Sequence, residues 1–161
     1  MAKKDNLKFL VELNFAAVKK LIDDVTEEES IMRFDNITNH IRWQTGHILN
    51  SADSMLKILG EDGSVPEKWS RLFKRGGELS EDNSVYPAMS ELREKLYSLY
   101  VRLPEELEDK TEAFFDEEIE ISPGWKETRM NGFIFFGEHT FYHCGQIAMM
   151  VRSIGRERPF G

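Results

Sequence analysis

The chain has 161 residues, 40% hydrophobic and 31% charged, which is the size and composition of a single globular domain spanning residues 1–161. Its 21 Lys and Arg against 29 Asp and Glu leave a formal charge of −8, excluding bulk electrostatic attraction to nucleic acid or to an anionic membrane surface, both of which draw on clustered cations. A single cysteine excludes an intramolecular disulfide.

The amino terminus carries no signal-peptide apolar core. The longest apolar stretch of the last third, residues 133–136, falls far short of the ~20 residues that a spanning helix needs. No nucleic acid or membrane partner and a cytoplasmic location are therefore the expectations.

Residues 6–25 place Leu7, Leu10, Val11, Phe15, Val18, Leu21, Ile22 and Val25 at spacings of three and four, the stripe of a first amphipathic helix. The acidic run at residues 26–29 reads as a solvated turn. A second helix is expected after Asp35-Asn36, either of which suits an N-cap. Its inward face carries Ile37, His40, Ile41, Gln44, His47, Ile48, Ala52, Met55, Leu56 and Leu59, and Gly60 stops it.

Residues 60–86 form a long connection broken by glycines and prolines, with a short helical piece around Trp69. A connection of this length suits a return along the bundle, so that the second and third long helices run parallel. Met89, Leu92, Leu96, Leu99 and Leu103 define the third helix, which Pro104 is expected to end.

Residues 105–129 read as a short helix and a loop folded over one end, with a turn at Pro123-Gly124. Residues 118–121 have extended character without a partner strand. The fourth helix runs from Arg129 to Ser153 with Gly155 just past its end, and its inward stripe reads Phe136, His139, His143, Ile147, Met150 and Ile154. Four amphipathic helices make the fold class all-α, a four-helix bundle with one long crossover.

The chain has four histidines, and all four fall on inward stripes. His139 and His143 stand at i and i+4, so their rings lie one above the other on one helical face. Two neutral rings would bring four ring nitrogens into the interior, and a shared cation with outward N–H groups bonded elsewhere would satisfy them. A third ligand must come from another helix, where His47 faces the core and His40 is its rival. Imidazole ligands suit a divalent transition metal such as zinc or nickel better than magnesium or calcium.

The run NHIRWQTGHI at residues 39–48, followed a bundle's length later by EHTFYHCGQI at residues 138–147 and by Arg152-x-x-Gly155, resembles the DinB-like family of metal-binding helical bundles, named for damage-inducible members. The resemblance implies an up-down-down-up bundle, the metal ligands His47, His139 and His143, and a homodimer. Members with a known activity are mostly thiol-dependent, either S-transferases that join a low-molecular-weight thiol to an electrophile or mycothiol-dependent isomerases. The expected function is accordingly a metal-dependent thiol S-transferase or hydrolase in stress response or detoxification, acting on a small molecule. The alternative is a non-catalytic metal-binding stress-response or interaction protein.

Several other residues invite chemistry. Cys144 adjoins His143, but consecutive helical residues point about 100° apart, which makes it a small buried residue rather than a nucleophile. Gln146, at i+3 from His143, suits either a hydrogen bond to that ring or the helix surface. Glu138 lies off the histidine face and reads as solvated. Trp43 and Trp125 suit either a pocket wall or the core, and Phe133, Phe135, Phe136 and Phe141 read as packing.

Overall fold

The computed structural model describes residues 2–34, 39–77, 79–157 and 159–160. In chain order the elements are α1 (Lys3–Ile22), α2 (Glu27–Ser30), α3 (Ile41–Ile58), α4 (Glu67–Leu72), α5 (Met89–Glu108), β1 (Glu118–Ser122), β2 (Trp125–Thr128) and α6 (Arg129–Ser153). The fold is mostly helical. α3 packs on α5 and α6, and α1 packs on the same two helices, so the four long helices close a ring around one core.

That core is built from the predicted stripes. Leu7, Val18 and Ile22 of α1 meet Ile48, Met55 and Leu56 of α3, Leu92, Leu96 and Leu103 of α5, and Ile147 and Met150 of α6, all buried. Each such side chain contributes roughly 1.5–3 kcal/mol on leaving water. No helix among the described residues is long and apolar enough to cross a membrane.

Residues 26–28 are exposed as expected, but the acidic run forms a short helix rather than a turn. Thr26 and Glu29 make a reciprocal capping box, Thr26 Oγ1 accepting from Glu29 N at 3.2 Å and Glu29 Oε2 accepting from Thr26 N at 2.9 Å. The helix they start is α2. The Glu27 carboxylate accepts from the amides of Met89 (2.8 Å) and Ser90 (3.0 Å) at the start of α5 and pairs with Arg42 at 2.6 Å. Glu27 is held because it meets the exposed N–H groups and positive dipole end of α5.

Burial raises the Glu27 carboxyl, but the two amides and Arg42 outweigh it and hold the group below its ordinary 4.5. A depressed carboxyl contributes stability that is present above its unfolded value and lost as pH falls through the folded one. Glu27→Ala is expected to cost about 1 kcal/mol at neutral pH, as for loss of a helix cap. The gap from wild type should narrow in thermal melts taken below pH 4.5.

Three further expectations are corrected. α5 runs through Pro104 to Glu108. Proline cannot donate to the carbonyl four residues earlier, yet Leu103 and Leu107 are both fully buried and an Arg102–Glu106 ion pair at 2.7 Å spans the site, which carries the helix past it.

The extended segment at residues 118–121 does have a partner. β1 pairs antiparallel with β2 through Glu118↔Thr128, Ile119↔Glu127 and Glu120↔Lys126. The turn between them places Gly124 at φ +80°, a conformation that glycine adopts without strain.

On α6 the expected His143, Ile147 and Met150 are buried, but Phe136, His139 and Ile154 are only half-buried, and Gly132, Phe133, Gly137, Thr140, Cys144 and Val151 complete the buried line. A Cβ on Gly137 would come within 2.5 Å of Leu10, so the missing side chain lets α1 approach there.

The proposed Asp35-Asn36 cap and Ile37 lie outside the described residues. The cap observed on α3 is His40, whose Nδ1 accepts from Trp43 N at 3.0 Å.

Candidate metal centre

α3 presents His47 and α6 presents His139 and His143 into the seam between the two helices. Their Nε2 atoms converge, with His47 to His139 at 3.0 Å and His143 to His139 at 3.1 Å. They are the one His, Cys, Asp and Glu group among the described residues whose donor atoms gather closely enough to hold a metal ion.

The outward nitrogens settle which protons these rings carry. His47 Nδ1 lies 2.7 Å from the Phe73 carbonyl oxygen, which can only accept, so Nδ1 bears the proton and Nε2 a lone pair. His143 Nδ1 lies 2.6 Å from Gln44 Oε1 and 2.8 Å from Gln146 Oε1 and donates in the same way. Gln44 Nε2 donates to Gln146 Oε1 at 2.9 Å, and Gln146 Nε2 donates to the Tyr142 hydroxyl at 3.2 Å, which fixes both amides.

Two lone pairs therefore face His139 Nε2, which carries at most one proton. Three converging nitrogens with one proton or none among them fit a cation that accepts all three. Zinc–nitrogen bonds of about 2.0–2.1 Å at tetrahedral angles would separate such nitrogens by roughly 3.3 Å, close to the spacing found.

Electrostatics agree with neutral ligands. Burial lowers the pKa of all three rings, with the charge on neighbouring imidazoles adding to it at His139 and His143 and Arg75 adding to it at His47 and His139. His143 is pushed down to about 4.

The rings are also clamped by aromatic neighbours. Trp43 stacks on His47 with centroids 4.9 Å apart, and Phe135 stacks on His139 at 5.8 Å. His40, the rival ligand, is not in this group. Its ring caps α3 and sits edge-on to Tyr86 at 4.9 Å, with burial pushing it down to about 4.

The sequence model of the DinB superfamily matches residues 10–147, a span that includes all three histidines. The chain belongs to the DinB superfamily. A search of curated proteins finds no match.

In this DinB-superfamily chain two clefts, of about 500 and 530 Å³, meet at His47 and His139, and Arg75 and Phe135 line both. Trp43 and Tyr142 line one cleft, while Trp125 and Phe136 line the other. Phe135 and Phe136 thus face the site, in contrast to Phe133, which is core packing as expected.

Cys144 is 2% exposed and burial pushes its thiol up to about 12, so it stays protonated and out of reach at neutral pH. Glu138 is exposed, as expected.

Two contributors lie beyond the reach of residue-type reasoning. One is the Phe73 carbonyl, since backbone groups leave no mark in a sequence. The other is Gly46, where a Cβ would come within 2.4 Å of the Phe73 ring. A glycine inside a buried helix is the one signal that pointed to such a close approach.

Proposed function

We propose that His47, His139 and His143 hold one divalent transition metal ion, with zinc and nickel best suited to three imidazoles. We propose further that the protein is a metal-dependent enzyme, a thiol S-transferase or a hydrolase, acting on a small molecule. The observation that carries this reading is the convergence of the three Nε2 atoms while the outward N–H groups are engaged by the Phe73 carbonyl and by Gln44 and Gln146. When bound, the ion would supply the charge that lowers the pKa of a thiol or a water, making it nucleophilic at neutral pH.

The chain's own residues perform the positioning. Phe73, Gln44 and Gln146 hold two rings in the tautomer that presents Nε2, which also raises their basicity as ligands. Trp43 and Phe135 restrict ring rotation. With Cys144 buried, a reacting thiol must arrive as a cosubstrate.

The four-helix ring reads as an up-down-down-up bundle whose long connection between α3 and α5 supplies the crossover. A homodimer, a cytoplasmic location and a role in stress response complete the proposal.

The test is turnover of a model electrophile, 1-chloro-2,4-dinitrobenzene, with a panel of low-molecular-weight thiols, alongside ester substrates without thiol. Activity that disappears on chelation and returns with zinc or nickel is the expected outcome. Activity indifferent to chelator would overturn the proposal. Stoichiometric metal without turnover in any combination favours a non-catalytic metal-binding protein instead.

A further inference from the structure

The clefts beside the histidines differ in charge from the rest of the molecule. The chain carries 29 acidic residues against 21 basic ones, yet the cleft of about 500 Å³ is lined by Lys57, Lys74 and Arg75 against the single acid Asp53. Asp53 is not free to offset them. It is buried, accepts from the amides of Ser64 (2.6 Å) and Val65 (3.1 Å), and pairs with Lys57 at 2.7 Å.

Among the described residues, therefore, no acid pairs with Lys74 or Arg75 at this cleft, and the adjoining cleft adds none to its lining. Their position is built into the fold. They follow Phe73 directly, in a turn closed by Gly77 N donating to the Lys74 carbonyl at 3.3 Å. Phe73 itself is anchored by a fully buried ring, and its carbonyl engages His47. One joint thus sets both the orientation of the first histidine and the placement of two cations beside it.

The same cleft is also lined by aromatic rings, Trp125 edge-on to Phe135 at 4.9 Å and Phe136 edge-on to Phe135 at 5.3 Å. We propose that this cleft is a subsite for an organic anion, a carboxylate joined to an aromatic or otherwise apolar body. The carboxylate lies on Lys74 and Arg75, and the body lies against Trp125 and Phe135. Guanidinium is suited to carboxylate through paired N–H donors, and its charge is retained at every working pH. The subsite deepens the proposed function by naming the substrate class, and it rests on that reading only for the link to chemistry at the histidines.

Calorimetric titration with 2-naphthoate and with its neutral isostere 2-naphthamide tests the inference. Wild-type protein is expected to prefer the carboxylate by about tenfold, the scale of one charge-assisted hydrogen bond at a partly exposed site. Arg75→Gln should remove most of that preference and Lys74→Gln/Arg75→Gln all of it, with circular dichroism unchanged because both side chains are exposed. Equal binding of the two probes to wild type, or a carboxylate preference surviving the double substitution, overturns the proposal.

Metal content measured on the same samples separates the two claims. A carboxylate preference in protein that binds no metal leaves the subsite standing and refutes the metal centre. Bound metal without the preference refutes the subsite alone.

Discussion

His139→Ala is expected to abolish stoichiometric metal binding and leave the fold standing. Among the three histidines His139 is the half-buried one. Among the described residues its polar contacts are those of Nε2 to the other two rings, so truncation there strands no backbone group and opens space toward a cleft rather than inside the core.

Removing one of three ligands should weaken binding by more than the ~10–100-fold typical of losing an outer partner of a ligand. Competition against a chromophoric chelator, with metal content by elemental analysis, measures it. Metal binding undiminished in His139→Ala would sink the site.

His47→Ala should differ in an instructive way. It also leaves the buried Phe73 carbonyl without its donor, which adds a stability loss of about 1–3 kcal/mol. Equal loss of metal with unequal loss of stability is the signature expected of a centre in which one ligand also ties an element to the core.

How much of this was legible in the sequence depended on what kind of group carried the information. Apolar spacing located the four long helices, because large buried side chains must recur at helical intervals. The same reasoning finds only part of the buried line of α6: it places His143, Ile147 and Met150 but misses Gly137, Thr140 and Cys144, which pack there and carry little hydropathy. The histidine triad was readable from the i, i+4 pair and from polar residues on an inward stripe of α3. His40 was indistinguishable from His47 by face alone, since both lie seven residues apart on one stripe. What separates them is that α3 starts at Ile41, which turns His40 into the cap.

The β1–β2 pairing went unseen because Trp-Lys-Glu-Thr lacks the alternation that marks a strand, and its pairing is enforced by the Pro123-Gly124 turn. The bonds of Glu27 are not legible in the acidic run at residues 26–29 because its partners, the first amides of α5, are 62 and 63 residues away in the chain.

The second large effect is expected at Phe73, a residue with no chemistry of its own. Its ring is fully buried, stacked near Tyr86 at 6.0 Å and seated over Gly46. Phe73→Ala should therefore cost about 3–5 kcal/mol in urea unfolding, the range for truncating a buried phenylalanine. It should also weaken metal binding, because the carbonyl that orients His47 belongs to the same residue and loses its anchor when the ring is gone.

Gly46→Ala approaches the same joint from the other side. Alanine gains about 1 kcal/mol of helix propensity over glycine, while a Cβ within 2.4 Å of the ring forces Phe73 outward at an overpacking cost of about 1–3 kcal/mol. Destabilisation wins, but by less than in Phe73→Ala. The two substitutions act on one contact, so their effects should be non-additive, the double variant being more stable than the sum of the single losses predicts.

Additive losses would place Gly46 and Phe73 in separate roles. Unchanged metal affinity in Phe73→Ala would show that the orientation of His47 does not depend on the Phe73 ring as the anchor of that carbonyl.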